Sequence, residues 1–307
     1  MKKILSLTIA VLLLLTMCVA GVAEEEGYLI AYVPTTMNNA FWLALMGPIE
    51  EEVEARGDTL VTVDAQSDQA TMNNMIGDLI VQGIDVLLVA PQDSTAVETA
   101  LVACADAGIP VINFDTPVTN TELVKSIIAS DNYNAGVVVG KDMMEKLPEG
   151  SKVAVMHSPA GGACIDRANG FYDTVGEYFE IVVELDGKGD TGVTMPLAED
   201  VLQSTPDLAA FFCVNDPSAI GAVNALAAYP DMSVLVYGVD GNPDAKALIE
   251  AGRMEGTAAQ SPETIGRETI AAAYELLAGN EIEPNIVVDT FLITADNVAE
   301  YGTEGWQ

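Results

Sequence analysis

The sequence predicts an α/β protein with two doubly wound parallel-sheet domains, and three observations predict this class. A unit recurs along the chain, in which a helix, a glycine and a Val/Ile/Leu run follow one another, as at Gly83 before Val86–Ala90 and Gly108 before Val111–Phe114. The apolar runs are continuous, which is typical of parallel strands that helices cover on both faces. The composition changes near Lys125–Asn132, where a second strand–helix series begins. The alternation along the chain therefore indicates two α/β domains of similar size.

The first 23 residues have the three parts of a signal peptide. Lys2 and Lys3 form a basic start, an apolar run covers Ile4–Leu15, and small residues lead to Ala23. The apolar run is too short to span a bilayer comfortably. We expect cleavage after Ala23 and an extracytoplasmic protein, in the periplasm or at the cell surface. Cys18 leaves open a lipid-anchored form.

Charge and cysteine content narrow the function classes. The formal net charge is −34 at pH 7, which repels nucleic acid and anionic lipid headgroups. Nucleic acid is therefore excluded as a partner.

Three cysteines remain after the predicted cleavage, namely Cys104, Cys164 and Cys213, and an odd number excludes a fully paired disulfide framework. Cys104 and Cys213 lie in apolar surroundings and are expected to be buried.

Polar residues follow each apolar strand of the first half. The first strand, Leu29–Pro34, leads through a polar loop into a helix that begins with two aromatic residues. The residues at these strand ends are Asn38, Asn39, Phe41 and Trp42, then Asp64 and Gln66, then Gln92 and Asp93, then Asp115 and Thr116. Ligands of doubly wound sheets bind outside the carboxyl ends of the strands, so these side chains are candidate ligand contacts.

The second half repeats the pattern after Pro148–Gly150. Its strands end in His157 and Ser158, then Asn215 and Asp216, then Asp240 and Asn242, then Gln260 and Ser261. Carboxylates accept hydrogen bonds from hydroxyl groups, carboxamides both accept and donate them, and aromatic rings cover the C–H faces of a sugar. Together these residues favour a cleft that binds a polyol.

Each of these residues also has a local explanation. Phe41 and Trp42 are expected in the helix core if they do not contact a ligand. Ser94, Asp216 and Asn242 are each expected to cap the following helix. These alternatives stay open at the level of the sequence.

Catalytic and cofactor signatures are absent from the sequence. It contains one histidine and has no HExxH, CxxC or GxSxG motif. Gly136–Asp142 (GVVVGKD) is one residue too short for a phosphate loop, and we interpret it as an ordinary helix. No catalytic residue, metal site or cofactor is therefore expected. His157 is either a ligand contact or a hydrogen-bonded polar residue at a strand end.

At this point the chain resembles the periplasmic sugar-binding proteins of the ribose-binding type, the solute receptors of ABC importers. The resemblance covers essentially the whole chain after the leader. It rests on several motifs in order, namely Asn38–Trp42 (NNAFW), Pro91–Ser94, Ile128–Asn132, Asn215-Asp216, Gly238–Gly241 and Gln260–Gly266.

The resemblance implies two lobes that close over a sugar by a three-segment hinge, as in type I periplasmic binding proteins. By this likeness, residues 27–128 plus 262–289 form the N-terminal lobe, and residues 129–261 plus 290–307 form the C-terminal lobe. The crossings are expected near Ser126–Asp131, Ala259–Pro262 and Val288–Phe291.

The resemblance also implies ligand residues. Asn39, Phe41, Trp42 and Asp115 match ligand positions on the first lobe. Asn215 and Asp240 match positions on the second lobe, and Gln260 lies at the hinge. Phe41 and Trp42 are expected to stack on the sugar ring, while the acids and amides bind its hydroxyl groups.

Three positions depart from the ribose-binding pattern. Thr116 stands where ribose receptors have an arginine, Ile165 is aligned with a second pocket arginine, and Gly189 stands near a family phenylalanine. Arg167 is assigned to a position outside the usual contacts. Thr116 and Ile165 are therefore expected to line a less cationic pocket for a larger or less oxygenated polyol, such as a hexose, a deoxysugar or an inositol.

The resemblance implies a monomer that binds a sugar and partners a membrane permease with its ATPase. A sugar-sensing receptor that feeds a chemoreceptor or sensor kinase shares the fold and pocket, so this alternative stays open. A transcription regulator needs a basic helix-turn-helix before the first lobe, where this chain has a leader and Glu24–Glu26. An enzyme is disfavoured because the sequence shows no nucleophile–base pair.

Overall fold

The structure is a computed structural model, which describes residues 27–307. The predicted signal peptide and Cys18 lie outside the described residues. Within the described range, twelve strands form two sheets. The first sheet contains β1 (Leu29–Val33), β2 (Thr59–Thr62), β3 (Val86–Val89), β4 (Val111–Phe114), β5 (Ser126–Ser130) and β11 (Asn285–Val288). The second contains β6 (Lys152–His157), β7 (Glu180–Asp186), β8 (Leu208–Cys213), β9 (Leu235–Asp240), β10 (Gly256–Ala259) and β12 (Phe291–Thr294).

Helices connect the strands throughout both sheets. Their bounds are α1 (Ala40–Arg56), α2 (Gln69–Gln82), α3 (Glu98–Ala107), α4 (Asn132–Lys146), α5 (Gly162–Val175), α6 (Thr191–Ser204), α7 (Asp216–Leu226), α8 (Pro243–Glu250), α9 (Pro262–Leu277) and α10 (Val298–Tyr301). A short 3₁₀ turn covers Thr121–Leu123. Gly136–Asp142 lies inside α4, which confirms its interpretation as an ordinary helix.

The two sheets have the same doubly wound order. The first is arranged β11-β5-β4-β3-β1-β2 and is parallel throughout. The second is arranged β12-β10-β9-β8-β6-β7, and only β12 pairs antiparallel. We call each sheet with its helices a lobe. The predicted α/β class of two parallel-sheet lobes is confirmed.

Each sheet is buried on both faces, which explains the continuous apolar runs. In β1, Ile30 packs into one apolar cluster of the first lobe, and its neighbour Ala31 packs into the cluster on the opposite face. In β8, Phe211 and Phe212 divide between two clusters of the second lobe in the same way. Successive side chains of a strand point to opposite faces, so both must be apolar where helices cover both.

The chain passes between the sheets three times. It leaves the first sheet after β5, returns from the second after β10, and leaves again between β11 and β12. These connections lie at Asp131, at Gln260-Ser261 and at Asp289-Thr290. They coincide with the crossings that the resemblance implies. The exact lobe bounds stay a prediction.

Helix ends confirm some of the predicted caps and correct others. Asn242 caps α8, because its side chain accepts a hydrogen bond from the amide of Ala245. Asp216 does not cap α7, since it is the first residue of that helix and Asn215 holds the cap position. Ser94 does not cap α3, which begins at Glu98 after Val97. Its hydroxyl contacts the other lobe instead.

The glycines that end α2 and α3 have the expected role. Gly83 and Gly108 have φ values of 80° and 73°, in the left-handed region where a residue without Cβ is least strained.

Between residues 27 and 307, no helix combines the length and apolar character that a membrane crossing requires.

Candidate functional site

A cavity of about 120 Å³ lies between the two lobes. A single buried water needs only about 10–15 Å³, so this space accommodates a small molecule. The residues that line it come from both lobes: Thr35, Thr36, Asn39, Phe41, Trp42, Ser67, Pro91, Gln92, Asp115, Thr116, Ser158, Gly161, Ala163, Cys164, Arg167, Lys188, Gly189, Asn215, Asp240 and Gln260. Most of them stand just after a strand, where the doubly wound topology places a ligand.

The start of α1 supplies one wall of the cavity. The side-chain oxygen of Asn39 caps this helix by accepting the amide N–H of Phe41 at 2.9 Å. Phe41 and Trp42 are buried, and their rings meet edge to face with centroids 5.1 Å apart. Both also pack into the apolar core of the first lobe. The core and ligand interpretations are therefore compatible, because one edge of this cluster lines the cavity.

Asp115 follows β4 in a left-handed conformation, with φ of 56°. Its carboxylate is 4% exposed. One oxygen, Oδ2, accepts a hydrogen bond from the hydroxyl of Thr116 at 2.9 Å, and the other, Oδ1, has no partner among the described residues. Burial raises the pKa of Asp115, against the opposing effects of Arg167 and of the Thr116 hydroxyl. The carboxyl is thus ready to accept a hydrogen bond from a ligand.

Asp240 ends β9 and also has a positive φ, of 137°. Its Oδ1 accepts from the side chains of Gln260, at 2.8 Å, and Arg167, at 3.3 Å. Its Oδ2 accepts the amide N–H of Asp216 at 3.4 Å. Burial raises the pKa of Asp240 to about 6, although Arg167 opposes the shift. Uncommon backbone conformations cluster at functional sites, and both cavity aspartates have one.

Arg167 is a buried cation on α5. Its Nε donates to the side chain of Asn132 at 2.8 Å, and Nη1 donates to the carbonyl of Val214 at 2.9 Å and to Asp240. Burial acts to lower the pKa of Arg167, but Asp240, Cys164 and Asp115 hold it above its ordinary value. The guanidinium is therefore fixed and charged beside the cavity.

This arrangement corrects the expectation for Ile165. Ile165 is 37% exposed and does not line the cavity, whereas Ala163, Cys164 and Arg167 of the same helix do. Residues i and i+4 share a helix face, so Ala163 and Arg167 point to one side and Ile165 to another. Arg167, which the sequence assigned to a position outside the usual contacts, also lines the cavity. Thr116 lines the cavity as expected. Among the described residues, Arg167 is therefore the one buried arginine in the cavity wall.

The remaining predicted residues meet at the same place. Asn215 caps α7 through Oδ1, which accepts the amide N–H of Ser218, and its Nδ2 donates to the carbonyl of Gly189 at 3.0 Å. Gln260 is 1% exposed, and its Oε1 has no partner among the described residues. Eight of the nine predicted ligand residues therefore line one cavity, and Ile165 does not. Their contact with a ligand stays a prediction.

Direct contacts join the lobes beside the cavity. The hydroxyl of Ser94 accepts the amide N–H of Gly162 at 2.9 Å, and the amide N–H of Ser94 donates to the carbonyl of Ala160 at 3.3 Å. The chain end adds a second connection. The ring of Trp306 meets Phe41 at 5.7 Å, and Nε2 of Gln307 donates to the carbonyl of Gln260 at 3.1 Å.

Several lining residues were not among the predicted contacts. Thr35 and Ser67 follow strands β1 and β2, so the strand-end rule could have found them, as it found Gln92 and Ser158 after β3 and β6. Lys188 is exposed at the edge of the cavity, and no acidic side chain of the described residues lies within ion-pair distance of it.

The histidine and the cysteines have different surroundings. His157 is 7% exposed and does not line the cavity, and its Nδ1 accepts the amide N–H of Ser158 at 2.8 Å. It is therefore a hydrogen-bonded residue at a strand end. Cys104 and Cys213 are free and buried, as expected, and Cys164 is a free, half-buried residue of the cavity wall. Burial raises the pKa of the Cys164 thiol to about 11.

Comparison with known proteins decides the family. The family model described as a periplasmic binding protein domain matches residues 30–281. The chain belongs to the periplasmic binding protein family. This confirms the resemblance found in the sequence, and it implies an extracytoplasmic location. The family is one of binding proteins.

Members of the periplasmic binding protein family resemble this chain over nearly their whole length. The ribose import binding protein of Escherichia coli K12 is 34% identical over 295 residues, which are 95% of this chain and 98% of that protein. An ABC transporter solute-binding protein of Mycobacterium smegmatis with bound glycerol has a TM-score of 0.85 at 30% identity, over 91% and 98% of the two chains. Another from Agrobacterium vitis, with bound D-fucose, has a TM-score of 0.83 at 26% identity, over 88% and 96%.

Proposed function

We propose that this protein captures a sugar or polyol in the cavity between its lobes and delivers it to an ABC importer. One observation carries the proposal. Two buried acceptor oxygens, Asp115 Oδ1 and Gln260 Oε1, have no partner among the described residues and belong to the same cavity as the rings of Phe41 and Trp42. Hydroxyl groups would satisfy the oxygens, and the C–H face of a sugar ring would pack on the aromatic rings.

The relatives support this assignment. Proteins of this family have ribose, D-fucose or glycerol in their names or structures, and all three are hydroxyl-rich and uncharged. Asn39, Phe41, Trp42, Asp115 and Thr116 would contact the ligand from the first lobe. Asn215, Asp240 and Gln260 would contact it from the second lobe and the hinge, together with Arg167. The protein binds and releases its ligand without chemical change.

Closure would be a rotation about the three crossings, between lobes of residues 27–128 plus 262–289 and 129–261 plus 290–307. The contacts of Ser94 with Ala160 and Gly162 form when the lobes meet, so they belong to the closed form. The closed form would be the one that a membrane permease with its ATPase recognises. We propose that the protein acts as a monomer, which light scattering of the purified protein would test.

A thermal-shift screen tests the binding proposal. Pentoses, hexoses, deoxysugars, inositols and nucleosides are added to the purified protein, and a ligand raises the melting temperature by mass action. We expect stabilisation by members of one sugar or polyol class, and no stabilisation of the Asp240→Ala variant by the same compounds. A flat response to every sugar and polyol would contradict the proposal.

Export is tested separately. Mass spectrometry of the protein secreted by its native host should show a mature chain that begins at Glu24 if the signal peptide is cleaved after Ala23. A chain that begins with a lipid-modified Cys18 would show membrane anchoring instead. Delivery to an importer is tested in the same host. Deletion of the gene for this protein should abolish uptake of the ligand that the screen identifies.

A further inference from the structure

We propose that the preferred ligand is an aminated polyol, an amino sugar or aminocyclitol whose ammonium group lies beside Asp115. This inference rests on the proposed function, because it concerns the same cavity. It begins with the charges of the cavity wall. The charged residues that line it are Asp115, Asp240, Arg167 and Lys188.

The two cations do not compensate the two acids equally. Arg167 forms its ion pair with Asp240, at 3.3 Å, and its other hydrogen bonds go to Asn132 and the carbonyl of Val214. Lys188 is exposed and has no ion pair with any described carboxylate. Asp115 is thus a buried carboxylate whose side-chain partner is the neutral hydroxyl of Thr116.

A hydroxyl of a neutral sugar would satisfy Asp115 Oδ1 but would leave its negative charge without an ion-pair partner, because Arg167, whose charge also acts on Asp115, forms its ion pair with Asp240. A buried charge is stable only where a partner of opposite charge or several hydrogen bonds offset its loss of solvation. An ammonium group meets both needs, because it is a donor and a cation. Ionised Asp115 therefore favours an aminated ligand over its neutral parent.

Two further observations support a cationic ligand. Phe41 and Trp42 line the same cavity, and the faces of aromatic rings attract cations that have lost part of their water. The whole chain has a formal net charge of −34, a field that concentrates cations at the protein and repels anions. Gln260 Oε1 offers a second acceptor without a described partner for another hydroxyl or N–H of the ligand.

Titration calorimetry at pH 7 tests this inference with matched ligands. D-glucosamine, D-galactosamine and an inosamine are each compared with the neutral parent and with the N-acetylated form, and the same is done for every neutral hit of the screen. At least one amine should bind about tenfold tighter than the neutral sugar or inositol from which it derives. N-acetylation removes the charge and should abolish this gain in affinity. The gain should also shrink as NaCl is raised, while binding of the parent stays constant.

Variants of Thr116 and Asp115 test the position of the charge. Thr116→Arg places a guanidinium beside Asp115 and should lower the amine-to-parent affinity ratio about tenfold, whereas the matched neutral change Thr116→Gln should preserve that ratio. Asp115→Asn removes the charge directly, tolerates a left-handed backbone, and should bring the ratio close to one. Thermal melts of all three variants check that they fold.

The outcomes separate this inference from the proposed function. If neutral polyols bind as tightly as their amines, or more tightly, the preference for an aminated ligand is wrong and the binding function stands. If neither neutral nor aminated polyols bind, the proposed function fails and the inference fails with it. An amine preference that Thr116→Arg leaves intact would show that the ammonium group lies elsewhere, and would overturn the placement beside Asp115.

Discussion

Asp115 and Asp240 occupy equivalent positions in the two lobes. Each stands at the end of the fourth strand of its sheet in chain order, β4 or β9, and each has a positive φ, of 56° and 137° respectively. The repeated topology therefore brings two carboxyl groups to the same cavity from opposite sides. A ligand held by both is held by both lobes at once, which couples binding to closure.

The changes Asp115→Ala and Asp240→Ala should each abolish binding of the ligand that the screen identifies. Each removes an acceptor for a buried hydroxyl or ammonium group, and a hydrogen bond to a charged group contributes about 1.5–3 kcal/mol, or about 10- to 150-fold in affinity. Calorimetry measures the loss, and thermal melts check the fold. The matched control is Glu122→Ala, an exposed acid away from the cavity. Retained affinity in both aspartate variants would place the ligand elsewhere.

The change Gly162→Ala should weaken ligand binding through the closed form. A Cβ at this position would lie 2.8 Å from the carbonyl of Pro117 and 3.0 Å from the Ser94 hydroxyl, so the lobes would have to separate. We expect a loss of affinity of about tenfold, with little change in the melting temperature of the free protein. Gly77→Ala is the control, since a Cβ there meets nothing within 4 Å. Equal affinities of the two variants would show that closure does not bring these residues together.

The raised pKa of Asp240 predicts how stability depends on pH. Its pKa is about 6 in the folded protein against an ordinary value of 3.8, so between these values the folded state binds more protons than the unfolded state. The contribution of this group to stability is therefore full below about pH 3.8 and is lost as the pH rises through 6.

The variant Asp240→Asn should accordingly change the melting temperature of the ligand-free protein in a pH-dependent way. The melting temperature of the variant minus that of the unmodified protein should be more positive at pH 7.5 than at pH 4.5. The reason is that the unmodified protein buries a charged Asp240 at the higher pH. The control variant, exposed Glu149→Gln, should show no such trend. A difference that is constant with pH would contradict the raised pKa.

The melting temperature should rise with ionic strength. A formal net charge of −34 produces self-repulsion among surface acids, and salt screens it over a Debye length of about 10 Å at 0.1 M. We expect an increase of several degrees, about 3–8 °C, between 0.02 and 0.5 M NaCl. KCl should give the same increase if screening is the cause. A melting temperature that is independent of salt would show that the acids do not destabilise the folded chain.

Much of the fold could be predicted from the sequence, because local patterns determine it. Continuous apolar runs identified the strands, and glycines such as Gly83 marked the helix ends. Strand-end polar residues pointed to the cavity for the same reason, since the topology places every such end at one edge. The crossings needed a known family, because strand β11 lies about 160 positions along the chain from β5, the strand that it pairs with.

The errors in the site came from geometry that a linear sequence does not contain. On α5, Ile165 and Arg167 are two residues apart, and the helix turns Ile165 to the surface and Arg167 to the buried side, which their spacing in the sequence does not show. Ser94 was assigned to its own helix because its partner, Gly162, belongs to the other lobe. The contact of Trp306 with Phe41 joins residues about 265 positions apart along the chain, and no local signal indicates it.

The chain contains two tryptophans, Trp42 and Trp306, and the rings of both meet Phe41 edge to face, at centroid distances of 5.1 Å and 5.7 Å. Trp42 lines the cavity, and Trp306 belongs to the segment that meets the hinge through Gln307. The indole emission of the whole protein therefore originates at the cleft. Unlabelled protein should report ligand capture optically, and its emission spectrum should distinguish the occupied state from the empty one in real time.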